Sequence, residues 1–255
     1  MGAFIAAFIL AGAYLSGGRL RGREVAKEFW ERRRWISAAA GISVAYVFVD
    51  VLPELGSHQR AFTAAAEGAG VLFAEERIYV LALASFVLFY GLDHMVLSKR
   101  EQLGEGAEPK LDLVFWLHLI GFALYSSLIG YLLIERAEKG WLALAAYTFV
   151  MAVHFLIIGH SLAEEGPQQR WLRRWFLASS VLAGWLLGSA VHLSETTFAR
   201  LFAVLAGGVV ITSLRHELPG SRRGRFWPFF LGAAAFALAL LASEAAMDIT
   251  PAFRL

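Results

Sequence analysis

Two histidines, His118 and His154, stand inside long apolar runs, 111–134 and 141–163, where an ionisable side chain is costly and usually faces a partner, a cavity or an ion. Neutral imidazole suits zinc, copper, iron and nickel, and an open zinc site needs three protein ligands plus water. His118 lies about seven residues and His154 about nine residues from the same side of their runs. At ~1.5 Å per residue the two differ in depth by only ~3 Å, close enough to face one another. A third ligand has to come from Asp93, His94, His160, Glu164 or another span. His160 follows His154 by six residues, roughly 120° around the helix, so it suits an exit path better than the same site, with Glu164 one turn beyond. Asp50 is a lone carboxylate near the end of another apolar run and is either a residue of the same pathway or a hydrogen-bonded structural group. The bland alternative for each histidine is a hydrogen bond to a neighbouring serine, tyrosine or backbone carbonyl.

The elements that must carry these residues are membrane helices. Hydrophobic residues make up 58% of the 255 and charged residues only 17%, with mean hydropathy +0.58, below the charge content of a soluble domain. The apolar residues form long runs, which predicts an all-α integral membrane protein of a single transmembrane domain, residues 1–255, with no nucleic acid among its partners. Eight spans are expected: 2–17, 35–55, 77–97, 111–134, 141–163, 171–193, 198–214 and 226–247. The connections after spans one, three, five and seven hold seventeen of the 23 Lys and Arg residues, and the opposite side holds six. The richer side is expected in the cytoplasm, which puts both termini outside a plasma membrane. The absence of cysteine excludes disulfides, thiolate metal sites and iron–sulfur clusters. No basic residue precedes the first apolar run, so a cleaved signal peptide is not expected. The charged stretch 19–34 reads as a cytoplasmic helix, and 56–76 as an ordinary outer connector. Trp35, Trp141, Trp171 and Trp227 read as interfacial anchors. The glycines at 184, 188, 207 and 208 read as sites of close helix packing.

A faint repeat runs through the chain. VDVLPEL (49–55) ends the second span and LRHELPG (214–220) ends the seventh, each after a glycine-containing run of small and β-branched residues. In the expected topology the two point in opposite directions, as an inverted repeat would leave them. The simpler origin is that Leu-Pro ends helices.

With these segments, the eight spans and FVLFYGLDHMV (86–96), the chain resembles the ZIP family of divalent metal transporters across nearly its whole length. The resemblance implies an inverted repeat of helices 1–3 and 6–8 around spans four and five. It also implies a transport site between those two spans, with His118 and His154 as its metal ligands. It allows a homodimer. The family's fourth-span pattern, His-Asn-x-x-Asp/Glu, has Leu119 and Phe122 here in place of its second and last members. The fifth-span pattern, His-Glu-x-Pro-x-Glu, has lost both carboxylates and the kinking proline: Phe155, Ile157 and Ile158 occupy that segment.

The function expected first is therefore transport of a divalent cation, zinc most readily, as substrate and not as resident cofactor. His118 and His154 would be ligands, with Asp50, Asp93, His94, His160 and Glu164 along the way. The lost carboxylates favour a second function, a ZIP-fold membrane protein that binds, senses or supports without transport, since dications in a low-dielectric site need anionic ligands. A haem- or metal-dependent membrane enzyme is a weaker third, because no further histidine pair or carboxylate constellation accompanies the two histidines. An enzyme is not expected.

Overall fold

A computed structural model describes residues 1–17, 33–66, 77–103, 113–165, 170–214 and 226–249. Among these residues there are eight helical bodies and no strand. They are α1 (Gly2–Gly17), α2 (residues 33–66), α3 (Arg77–Leu103), α4 (Leu113–Glu138), α5 (Trp141–Glu165), α6 (Arg170–Ala190), α7 (Glu195–Thr212) and α8 (Phe226–Ile249). Five of the helices, within α2, α3, α4, α5 and α7, are long and apolar enough to cross a bilayer. α1 and α8 are as apolar over shorter stretches. α6 opens with Arg170, Arg173 and Arg174, which dilutes its hydropathy. The protein is thus an all-helical membrane protein, and its outward faces are lined by large apolar side chains such as Leu83, Leu124, Leu186 and Leu238.

α2 departs from the expected span. It begins as the α-helix Arg33–Tyr46, passes through a π-helical stretch Val47–Val51, and continues as Leu52–Ala66. The amide of Leu52 bonds the Val47 carbonyl five residues back. That wider register precedes Pro53, which then sits in the first turn of the next segment, where its missing N–H costs nothing. Pro53 therefore does not end the helix, and residues 56–66, expected in a connector, are helical. Residues 213 and 214 also take π-helical geometry, at the end of α7 just before the second Leu-Pro. The second Leu-Pro itself and the stretch 19–32 lie outside the described residues.

Packing sorts the helices into two groups of four. α4 packs most extensively on α6, α1 on α5, and α1 also on α6. In the other group α2 packs on α8 and α3 on α7, with α2 also against α7. Small residues set these pairings. A Cβ on Gly184 of α6 would fall on the Ser127 carbonyl of α4, and one on Gly232 of α8 on the Ala38 carbonyl of α2. Gly207 of α7 stands in the same relation to Ala82 of α3. Helix direction alternates along the chain. The start of α1 lies beside the α4–α5 turn, where Gly2 faces Leu144, and the opposite end joins the last turns of α1 and the start of α6 through Arg174 and the Leu15 carbonyl. The α4–α5 turn is tight, and Gly140 takes φ +119° in it, a region that favours glycine. Trp141, Trp171 and Trp227 are exposed at helix starts.

Candidate functional site

The middle of the molecule holds a buried polar chain on α3, α4 and α5. His118 and Asp93 are both buried, and Nε2 of His118 lies 3.0 Å from Oδ1 of Asp93. A carboxylate only accepts, so the imidazole donates from Nε2 and turns Nδ1 the other way. One turn on, the Phe122 ring stacks obliquely on His118, with ring centroids 4.8 Å apart. Tyr125 follows on α4, and its hydroxyl lies 2.7 Å from Nε2 of the buried His154 on α5. Beside it, Ser126 shares a 2.9 Å hydrogen bond with the buried Tyr14 of α1. Position 122 thus carries a phenyl ring between the two polar stations, and each imidazole is engaged by a different partner.

The remaining candidates are distributed differently. His94 is exposed on the face of α3 away from Asp93, as consecutive helical residues must be, stacked on Tyr90 and 3.4 Å from the Ser98 hydroxyl. Asp50 lies within the π-helical stretch and belongs to a separate cluster at the α4–α5 turn. His160 and Glu164 are in the last turns of α5, outside the described side chains. Of the residues singled out by type and spacing, the fold therefore joins Asp93 to His118 and sets His154 one tyrosine away. Among the described residues no three His, Asp or Glu side chains are gathered as metal ligands.

The second cluster joins Asp50 and Glu54 to Arg136 and Lys139, two of the six basic residues on the poorer side of the charge pattern. The Arg136 side chain at the end of α4 is only 7% exposed. Its guanidinium lies 3.6 Å from Asp50, pairs directly with Glu54, and sits over the Tyr147 ring at 5.4 Å. Lys139 in the turn reaches Glu54 at 2.6 Å and Glu135 at 2.8 Å. Burial works to lower the Lys139 pKa, but the hydrogen bonds to Glu135 and Glu54 outweigh it and hold the ammonium above the ordinary lysine range. Two cavities flank the end of α4. One of about 220 Å³ is lined by Tyr46, Asp50, Arg136 and Tyr147 among others, and a cleft of about 570 Å³ by His58, Glu135, Glu138, His192 and Glu195. The signal available in sequence was the position of Arg136 itself, two residues past Ile134 and one turn from a helix end, too close to the apolar run to be freely solvated.

No family model, no curated protein and no solved structure matches the chain.

Proposed function

We propose that the chain is a ZIP-like transporter of a divalent cation of the zinc type. In this reading all eight helices span a plasma membrane with both termini outside, and the substrate passes between α4 and α5. The observation that carries the reading is the pattern of helix pairing. An inverted repeat of helices 1–3 and 6–8 around helices 4 and 5 exchanges α1 with α6, α2 with α7, α3 with α8 and α4 with α5. Under that exchange α4–α6 becomes α5–α1, and α2–α8 becomes α7–α3, and both members of each pair are the principal contacts of the fold. The π-helical turns ahead of the two Leu-Pro segments, in α2 and α7, fit the same exchange. Two contacts among the described residues break it: α3 packs on α4 and on α2, whereas α8 packs comparably on neither α5 nor α7, and the α3–α4 contact is the one that brings Asp93 to His118.

Asp93 brings a negative charge to the back of His118, where the α4 and α5 segments supply none. A substrate cation would meet Nδ1 of His118, with the Asp93 carboxylate behind the ring orienting it from Nε2, while His154 has to turn away from Tyr125 to contribute Nε2. The engagement of Nε2 by Tyr125 favours the second reading, a ZIP-like scaffold that does not move metal, in which His154 is a structural hydrogen-bonding residue. Zinc uptake into proteoliposomes separates the two. Transport predicts saturable uptake by the parent protein, abolished by His118→Ala/His154→Ala and strongly reduced by Asp93→Asn. Equal, background-level uptake by parent and variants, with folded protein in the bilayer, would leave the scaffold reading.

A further inference from the structure

We infer that Glu54, Arg136 and Lys139 form an ion-pair latch that closes the way between the two four-helix groups at the end bearing the α4–α5 turn. This rests on the proposed reading in one respect, that the two groups move against each other. The three residues come from both sides of that boundary: Glu54 from α2, Arg136 from the end of α4 and Lys139 from the turn joining α4 to α5. Glu54 receives both cations, on different oxygens, and its side chain is only 11% exposed. Asp50, 3.6 Å from the guanidinium, flanks the pair on the same helix one turn earlier.

The surroundings make the contact a gate and not a surface ornament. An exposed ion pair is worth little, but one whose guanidinium is buried over an aromatic ring is strongly held, and loss of one partner leaves the other charge stranded. The residues bearing Asp50 form the π-helical stretch, the one described break in the α-helical register of α2, and such stretches are frequent at functional sites. Arg136 and Asp50 line the 220 Å³ cavity beside Tyr147, while Glu135 on the other side of α4 lines the 570 Å³ cleft. One turn beyond Tyr147 on α5 is the fully buried Met151, and three residues further is His154. Release of the latch would separate α2 from the α4–α5 hairpin and open that column of residues to water.

The test uses the absence of native cysteine. Met151→Cys in the full chain, reconstituted in liposomes, reports access through its reaction rate with a membrane-impermeant methanethiosulfonate. The latch predicts slow labelling of Met151→Cys alone and a rate increase of roughly tenfold or more when Glu54→Gln or Arg136→Gln is added. Combining the two neutralisations should add little to Glu54→Gln alone, because Glu54→Gln already removes the Arg136 contact as well as that of Lys139. Lys139→Gln, at a half-exposed position that the fold tolerates, should give a smaller increase of roughly threefold and serves if the buried variants fail to fold. Unchanged labelling in folded Glu54→Gln or, if only that variant folds, in Lys139→Gln overturns the latch. So does a strictly additive effect of Glu54→Gln and Arg136→Gln. Because the readout requires no substrate, it stands or falls separately from zinc uptake.

Discussion

Tyr125 and Asp93 decide what the two histidines can do. The hydroxyl of Tyr125 holds His154 at 2.7 Å in a buried setting, so Tyr125→Phe leaves an imidazole nitrogen without that partner. A loss of about 1–3 kcal/mol is expected, read as a lower thermal midpoint of the detergent-solubilised protein. If His154 is also a metal ligand, the same substitution frees Nε2, and zinc titration should show tighter binding despite the lower midpoint. Lys139 makes a different prediction. Its pKa is raised in the folded protein, so its contribution is fully present below the unfolded value of ~10.4 and is lost as pH rises through the higher folded value. The difference in thermal midpoint between the parent and Lys139→Gln should hold constant to about pH 10 and shrink above it. His118, His154 and Asp93 were legible as residues because charge is rare in apolar helices. Their partners were not, since Tyr125 and Phe122 look like any other membrane-helix aromatics until α4 is given a rotation.

At the scale of the helices, close packing of small residues and one altered register explain most of what the sequence left open. A Cβ on Gly184 would overlap the Ser127 carbonyl, and backbone cannot move aside cheaply. Gly184→Leu should therefore disrupt the α4–α6 pairing and cost on the order of 3 kcal/mol or prevent folding, read by thermal unfolding and by yield of monodisperse protein. Gly12, with open space around it, is the control, and Gly12→Ala should be near neutral. The glycines of α6, Gly184 and Gly188, were readable as packing sites because they recur at helical spacing, and the adjacent pair Gly207–Gly208 of α7 because glycine is otherwise costly inside a helix. The length of α2 was not readable. Leu52-Pro53 ordinarily marks a helix end, and only the π-helical stretch ahead of it, a tertiary outcome with no fixed sequence signature, lets the helix run on.

For the whole molecule, the described helices run in alternating directions, as consecutive spans must, while the side on which the basic connections lie is a matter for experiment. The pairing of helices was beyond the reach of one sequence, because nothing in hydropathy says which apolar face meets which. The proposed orientation is open to direct test in a chain without cysteine: Glu138→Cys, exposed beside the α4–α5 turn, should react with impermeant thiol reagent added outside intact cells. Labelling only after the cells are opened would reverse the topology. The central claim, a cation site between α4 and α5, is tested most directly by elemental analysis and zinc titration of the purified protein beside His118→Ala/His154→Ala. The account predicts a stoichiometric divalent metal in the parent, or saturable zinc binding if it purifies empty, and loss of either in the double variant. A folded parent that neither carries nor binds a divalent metal would contradict it, as would binding unaffected by removal of both histidines.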